Sequence, residues 1–359
     1  MNPELDPQLN AFKGEYWRTM GKVSAGLNIF ATQYACAKSD SATRRYTQKR
    51  CHLIGLKFYA GYLAGGGTEV RWEDHQLLAI ALELVMTSAY AANQILDHKK
   101  AVWDAPGGIE QALLDYLFLQ TWQSDLIERW TSLSQLDEQY TKRVKWLMSQ
   151  LAEKMTLGFG VERELSVRHR PLNQMTSSRF WWAQRYQERN TSLNLVYDWA
   201  PLIGHDIART EVRGYEERLD TVGHHYDFFG NCIPFSHSMQ VINDIADFLP
   251  NACDLGVKVY QDRFADVRNG LVTYPVHELL DVPQMVEVLR DGDVENSGWQ
   301  DYMIKLVKER GIMDKAKEQC ERSWYHHLTF WKWILRRHDL LLLSTYSMLR
   351  HNKYFKSIE

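Results

Sequence analysis

The sequence has few cysteines and no long apolar run, and each shortage argues against a class of protein. Its five cysteines are scattered over 359 residues without Cys-x-x-Cys spacing. This argues against a zinc ribbon, a redox pair or a disulfide framework, and it favours a reducing compartment. No uninterrupted apolar stretch approaches bilayer length, and no basic region followed by an apolar one stands near the N-terminus. We therefore expect a soluble, cytoplasmic protein with no transmembrane segment.

Positive charge is not in excess either. The chain has 42 Lys and Arg against 45 Asp and Glu, interspersed along its length, for a formal net charge of −3 at pH 7. A protein that binds nucleic acid or a membrane surface typically carries a basic patch or tract, so neither partner is expected here. The expected partner is a small molecule or another protein.

Residues that form turns are scarce, and helical periodicity dominates the chain. Only nine prolines occur, while long windows carry apolar residues three and four positions apart, as the buried face of a helix requires. Leu78, Leu82 and Val85 show this spacing within a helix predicted over 75–96, and another is predicted over about 234–249. No repeat, heptad or interdomain linker interrupts the pattern. We predict an all-α fold, with residues 1–359 in a single helical bundle.

The second predicted helix carries oxygen-bearing side chains at helical spacing. Asn243, Asp247 and Asn251 follow one another at intervals of four residues, which places them on one face of a regular helix. Carboxylate and amide oxygens suit Mg²⁺, which completes its coordination shell with water and substrate phosphates. The alternative is an ordinary solvated helix face, but the residues that follow favour the metal site.

The segment 229–275 resembles the trans-isoprenyl diphosphate synthases. That family has the pattern FQxxDDxxD, followed by Gly-Lys, an Asp and GKxTxP. The sequence here reads SMQVINDIAD over 238–247, GVK over 256–258 and DVRNGLVTYP over 266–275. Both the order and the spacing match the pattern of the family.

The resemblance implies an all-α enzyme that uses Mg²⁺ to ionise an allylic prenyl diphosphate. It assigns Asn243, Asp244 and Asp247 to metal binding and catalysis. It also implies that Lys258 contacts the diphosphate, and it places Gln240 among the substrate-binding residues.

The helix predicted over 75–96 leads into an altered form of the family's first aspartate-rich motif. The stretch ELVMTSAYAA runs into NQILD at 93–97, where the family has DDxxD. The resemblance implies that Asn93 and Asp97 bind metal and that Asp97 is catalytic, although two carboxylates have become amides. Ser88 and Ala89 are smaller than the aromatic residues that short-product members carry there, which implies a pocket deep enough for a C15 or longer chain.

Weaker matches extend the resemblance to other phosphate contacts. Lys49 and Arg50 stand near the position of the family's GGKRxRP motif, and Arg189 and Thr191 stand near its Lys-Thr pair. The resemblance therefore implies that these four residues contact phosphate. The pattern is incomplete elsewhere, because Leu271 replaces the lysine of GKxTxP.

Three functions remain open at this point. The altered diphosphate-binding motifs favour a terpene synthase-like lyase, which ionises one prenyl diphosphate and then cyclises or rearranges the cation, and 13 Trp, 18 Tyr and 13 Phe include rings that could line its cavity. The first alternative is a condensing prenyltransferase, which forms a prenyl diphosphate or prenylates an unusual acceptor. The second is a non-catalytic subunit of a prenyl diphosphate synthase. The resemblance also implies a homodimer.

Overall fold

The computed structural model describes residues 53–99, 107–175, 195–214, 235–250 and 263–334. Within these ranges the chain forms thirteen α-helices, and its only β-type pairing there is an isolated bridge between Ser166 and Leu271. The prediction of an all-α fold is therefore confirmed. The helices are α1 (Leu53–Ala64), α2 (Glu69–Trp72), α3 (Gln76–Leu96), α4 (Gly108–Leu133), α5 (Glu138–Glu164), α6 (Leu172–Met175), α7 (Leu195–Arg213), α8 (Phe235–Ile245), α9 (Ala265–Arg268), α10 (Tyr274–His277), α11 (Pro283–Asp291), α12 (Ser297–Glu309) and α13 (Ile312–Ile334).

Helix α3 is a core helix and carries the first motif at its end. It begins after a 3₁₀ turn at Glu73–His75, one residue later than predicted, and the periodic residues Leu78, Leu82 and Val85 are all buried. The stretch Val70–Leu96 is long and apolar enough to cross a bilayer, but 72% of its most apolar window is buried inside the protein. Such burial is what the core helix of a bundle presents.

The buried apolar residues of the described ranges form two clusters. The first comes mainly from α1, α3, α4, α5 and α7, and the second comes mainly from α8 to α13. Leu165, which directly follows α5, packs in the second cluster. The end of α5 therefore reaches from one cluster to the other. That the whole chain forms one domain stays a prediction.

Helices α1 and α7 pack backbone against backbone in the first cluster. A Cβ atom at Gly61 of α1 would stand 1.9 Å from the carbonyl oxygen of Pro201 in α7. Conversely, a Cβ atom at Gly204 of α7 would stand 2.2 Å from the carbonyl oxygen of Phe58. Both distances are far below van der Waals contact, so this approach requires glycine at both positions.

A buried lysine completes the contact between α1 and α7. Pro201 lies inside α7 and has no N–H, so it cannot give the carbonyl of Tyr197 the usual helical hydrogen bond. Nζ of Lys57, in α1, donates to that carbonyl at 3.0 Å. Burial lowers the pKa of Lys57 to about 8, and the carboxylate of Asp198 opposes the shift.

We predict that Lys57 and Pro201 are energetically coupled through the Tyr197 carbonyl. Lys57→Met should lower the free energy of unfolding by about 1–3 kcal/mol, because it leaves a buried carbonyl without that donor. In a Pro201→Ala background the alanine N–H can donate to the same carbonyl, so the cost should fall by about 1 kcal/mol.

Urea unfolding of the wild type, both single variants and the double variant measures the coupling. The loss of the cation beside Asp198 is common to both backgrounds and cancels in the cycle. Effects that add to within about 0.5 kcal/mol would contradict the coupling.

Candidate active site

A short segment, 269–274, is hydrogen-bonded to the ends of α3 and α8. Helix α3 carries the first motif, 93–97, and helix α8 carries the start of the second motif, 243–247. Nδ2 of Asn269 donates to the main-chain carbonyl of Asp97 at 2.8 Å, just after α3. At the other end of the segment, the N–H of Tyr274 donates to the carboxylate of Asp244 at 3.3 Å. Six residues span at most about 22 Å, so the two motifs lie in the same region of the bundle.

Helix α3 ends in a cap that positions Asp97. His98 takes the left-handed conformation, with φ of 51°, and the N–H of Lys99 donates to the carbonyl of Gln94 at 3.1 Å. This is the Schellman pattern, in which glycine usually occupies the left-handed position. The cap turns the chain back on itself directly after Asp97.

Asp97 is the buried carboxylate of the first motif, with 7% of its surface exposed. Its Oδ2 accepts a hydrogen bond from Nδ2 of Asn93 at 2.7 Å, and Nζ of Lys99 lies 3.5 Å from the same oxygen. Asn93 and Asp97 therefore lie on one face of α3, as their spacing predicts. Their role as metal ligands stays a prediction.

The second motif departs from regular helical geometry. Helix α8 ends at Ile245, and Asp247 lies in the 3₁₀ turn Ala246–Phe248. Asn243 is exposed, whereas Asp247 is buried. A 3₁₀ turn has three residues per turn, so the four-residue spacing does not carry the face of the α-helix into it. The two side chains differ in exposure, and their joint metal binding stays a prediction.

Asp244 links α8 to the segment 269–274. Only 1% of its surface is exposed, and its carboxylate accepts hydrogen bonds from Nε2 of Gln240 and from the N–H of Tyr274. The structure thus shows Asp244 and Gln240 in contact with each other. Their predicted roles toward metal and substrate stay predictions.

An open cleft of about 620 Å³ lies between the end of α3, the end of α5 and the segment 269–274. Asp97 lines it beside Asn269 and Leu271, so the leucine at the family's lysine position faces the same cleft as the first motif. Phe159 and Ile109 contribute apolar wall. The cleft combines a carboxylate with an apolar lining, as a site that separates a leaving anion from a carbocation requires.

Glu162 is a cleft residue that sequence reasoning missed. Its side chain lines the same cleft as Asp97, with 8% of its surface exposed. It continues the buried face of Leu151, Met155 and Gly158 in α5. A carboxylate at a position where helical periodicity calls for an apolar residue was the signal present in the sequence.

Ser88 and Ala89 are both buried, at the contact of α3 with α4. The hydroxyl of Ser88 accepts a hydrogen bond from Nε2 of Gln120 at 2.9 Å and donates to the carbonyl of Leu84 at 2.8 Å. Gln120 therefore approaches the position where the deep pocket is predicted. The depth of that pocket stays a prediction.

The side chains of the cleft fit a magnesium ion that is bound together with a phosphate. In the described parts of the chain, no three carboxylate, imidazole or thiolate groups converge on one point. Asp97 and Glu162 are hard oxygen donors on one cleft. Mg²⁺ is commonly held by one or two carboxylates together with substrate phosphates.

Six of the predicted site residues lie outside the described residues: Lys49, Arg50, Arg189, Thr191, Asn251 and Lys258.

The geometry can be compared with known proteins. No protein-family model matches the chain, and no curated protein matches its sequence. Solved structures do match. Farnesyl diphosphate synthase of T. brucei, in complex with risedronate, gives a TM-score of 0.68 at 10% identity, covering 95% of this chain and 99% of that one. The chain has the isoprenoid synthase fold.

Other structures with this fold agree over similar lengths. Geranylgeranyl pyrophosphate synthetase of Pyrococcus horikoshii gives a TM-score of 0.66 at 16% identity, covering 94% of this chain and 98% of that one. A polyprenyl synthase of Caulobacter crescentus, complexed with calcium and isoprenyl diphosphate, gives 0.62 at 14% identity, covering 96% and 97%. At such identities the likeness establishes the isoprenoid synthase fold, not the reaction.

We predict that Asp244 and its neighbour Asn243 differ in their effect on stability. Asp244→Ala should lower the free energy of unfolding by about 2–3 kcal/mol, because the buried Gln240 amide and Tyr274 N–H lose a charged acceptor. Asn243→Ala is the matched control and should change it by less than about 0.5 kcal/mol, because Asn243 is exposed. Urea unfolding of both variants measures the difference. Equal stability of the two variants would show that Asp244 does not link α8 to the segment 269–274.

Proposed function

We propose that the protein ionises an allylic prenyl diphosphate with the help of Mg²⁺. The observation that carries this proposal is the segment 269–274, which joins the ends of both motif helices beside a part-apolar cleft in an isoprenoid synthase fold. The two motifs are the elements to which the resemblance assigns metal and diphosphate. Their common location is what such a reaction requires.

Each part of the cleft has a task in this reaction. Asp97, oriented by Asn93, would hold Mg²⁺ against the diphosphate at the cleft. Asp247, which is buried and does not line the cleft, is the ligand that the resemblance assigns to the second motif. The diphosphate would leave with the electron pair of the C–O bond, and Mg²⁺ held by these residues would supply positive charge to stabilise it. The apolar side chains of Phe159, Ile109 and Leu271 would keep nucleophiles from the allylic cation.

Condensation is the favoured fate of the cation. The structural neighbours described above are prenyl diphosphate synthases, which supports a condensing prenyltransferase over a terpene synthase-like lyase. One observation keeps the lyase as the second candidate: Leu271 places an apolar side chain in the cleft at the position where the family has a lysine. A lyase needs no binding site for a second diphosphate.

We predict that the protein, incubated with Mg²⁺, converts geranyl, farnesyl or geranylgeranyl diphosphate into a product. Each substrate is tested with and without isopentenyl diphosphate. Mass analysis should find a longer prenol after phosphatase treatment only when both substrates are present. Asp97→Asn should lower kcat/KM by about 100-fold or more, because it removes the buried carboxylate that would hold the metal. Asp125→Asn is the control, since Asp125 pairs with Arg129 on the surface of α4 at 2.9 Å.

Each other outcome of this assay selects another function. A hydrocarbon or alcohol formed without isopentenyl diphosphate would establish the lyase. No product in any mixture would leave the non-catalytic subunit. Full activity of Asp97→Asn would overturn the role of the first motif.

We also propose a homodimer that pairs through α4. Leu113, Leu114 and Leu117 form an apolar patch on this helix, with exposed fractions of 48%, 60% and 53%. A contiguous apolar patch on a protein surface marks an interaction site. The resemblance, in which family members pair through helices near the first motif, identifies a second copy as the occupant.

We predict that light scattering during size-exclusion chromatography will give the mass of a dimer for the wild type. Leu117→Glu should shift the mass to that of a monomer, because it buries a charge in the interface. Val212→Glu changes an exposed apolar residue of α7 outside the patch and should leave the dimer intact. A monomeric wild type at micromolar concentration would contradict the proposal.

A further inference from the structure

The segment 163–170 at the end of α5 is joined to the candidate active site by main-chain hydrogen bonds. The N–H of Val167 donates to the carbonyl of Gly270 at 2.9 Å, and the N–H of Val272 donates to the carbonyl of Leu165 at 3.3 Å. The hydroxyl of Ser166 donates to the carbonyl of Asn269 at 2.7 Å. This pairing fixes the segment 163–170 in register with the segment that joins the two motifs.

The segment presents basic side chains to the cleft. Arg163, Arg168 and His169 line it, and so does His98 from the end of α3. The main-chain hydrogen bonds to the segment 269–274 fix the backbone of the segment 163–170. The side chains that it carries therefore line the same cleft as Asp97.

Arg163 and Arg168 lack anionic partners among the described residues. Nε of Arg163 donates to Nε2 of His169 at 3.4 Å, and Nη2 of Arg168 donates to the carbonyl of Arg268, so neither of these hydrogen bonds is made to a carboxylate. Arg170, in the same segment, is different because it forms an ion pair with Glu164 at 3.0 Å. The two cleft-lining arginines therefore keep their full positive charge for an anion.

Phosphate oxygens are the anion that fits these groups. A guanidinium presents a planar fork of N–H donors that matches phosphate geometry, and two of them on one cleft suit a diphosphate. The cleft also needs such groups. Leu271 supplies no charge where the resembled family has a lysine, and Lys99 is beside the carboxylate of Asp97 at 3.5 Å.

We infer that Arg163 and Arg168 bind the diphosphate group of the substrate from the α5 side of the cleft and supply the positive charge that Leu271 does not. The inference rests on the proposed function. The ligand class is an organic diphosphate, with the diphosphate recognised by the arginines and its magnesium ion held by Asp97.

Calorimetric titration with inorganic pyrophosphate in the presence of Mg²⁺ tests the inference without any turnover. Arg163→Gln and Arg168→Gln should each weaken binding about tenfold, because each removes a charge-assisted hydrogen bond. Arg170→Gln is the matched control, since it removes the same charge from the same segment where Glu164 already compensates it. Its binding should stay within about twofold of the wild type. The thermal midpoints of all three variants should match, which shows that the fold is retained.

The titration separates the failure of this inference from the failure of the proposed function. Pyrophosphate binding that is weakened in Arg163→Gln and Arg168→Gln, but not in Arg170→Gln, supports the site even if no prenyl product is ever found. Pyrophosphate binding that is as tight in Arg163→Gln and Arg168→Gln as in Arg170→Gln overturns the assignment of the two arginines to the diphosphate. Prenyl product formation with an unchanged KM in Arg163→Gln and Arg168→Gln would overturn it too, while leaving the proposed function standing.

Discussion

The hydrogen bond from the side chain of Asn269 to the carbonyl of Asp97 is the interaction on which the candidate active site depends. The last carbonyls of a helix have no partner within it, so the end of α3 offers an acceptor to any donor that reaches it. Asn269 fills that role, and its own carbonyl accepts from Ser166. The ends of α3 and α5 and the segment 269–274 thus form one hydrogen-bonded unit. Side chains of α5 pack in the first hydrophobic cluster, and Leu165 at its end packs in the second.

The first motif carries less negative charge in this chain than in the family that it resembles. Two carboxylates of the first motif are replaced by amides, and the remaining one, Asp97, accepts from Asn93 and lies beside Lys99. Mg²⁺ that is held by only one or two carboxylates usually takes its remaining ligands from water and substrate phosphates. Glu162 adds a second carboxylate to the cleft, and Arg163 and Arg168, which have no anionic partner among the described residues, line the same cleft. These features agree with a site in which metal and diphosphate bind together.

The sequence allowed the helix α3 to be predicted, but not the positions of Asp247 and Glu162. The bounds of α3 follow from the spacing of Leu78, Leu82 and Val85, because a helix in a bundle core must bury one continuous face. The position of Asp247 could not be extrapolated in the same way. The prediction that Asp247 shares a face with Asn243 assumes that α8 stays regular. Instead a 3₁₀ turn begins at Ala246, and the Asp247 side chain is buried. Glu162 belongs to no motif, and only its neighbours in space place it at the candidate site.

Periodicity was thus enough to predict an all-α chain, because it is a property of residues close together along the chain, and the resemblance of the motifs predicted the isoprenoid synthase type of bundle. Which side chains share a cleft was decided by the tertiary structure. Asp97, Glu162 and Leu271 are far apart in sequence, and they line one cleft because the end of α5 pairs with the segment 269–274. Such pairing depends on backbone hydrogen bonds between distant segments, and backbone groups are the same for every residue, so no spacing in the sequence records it.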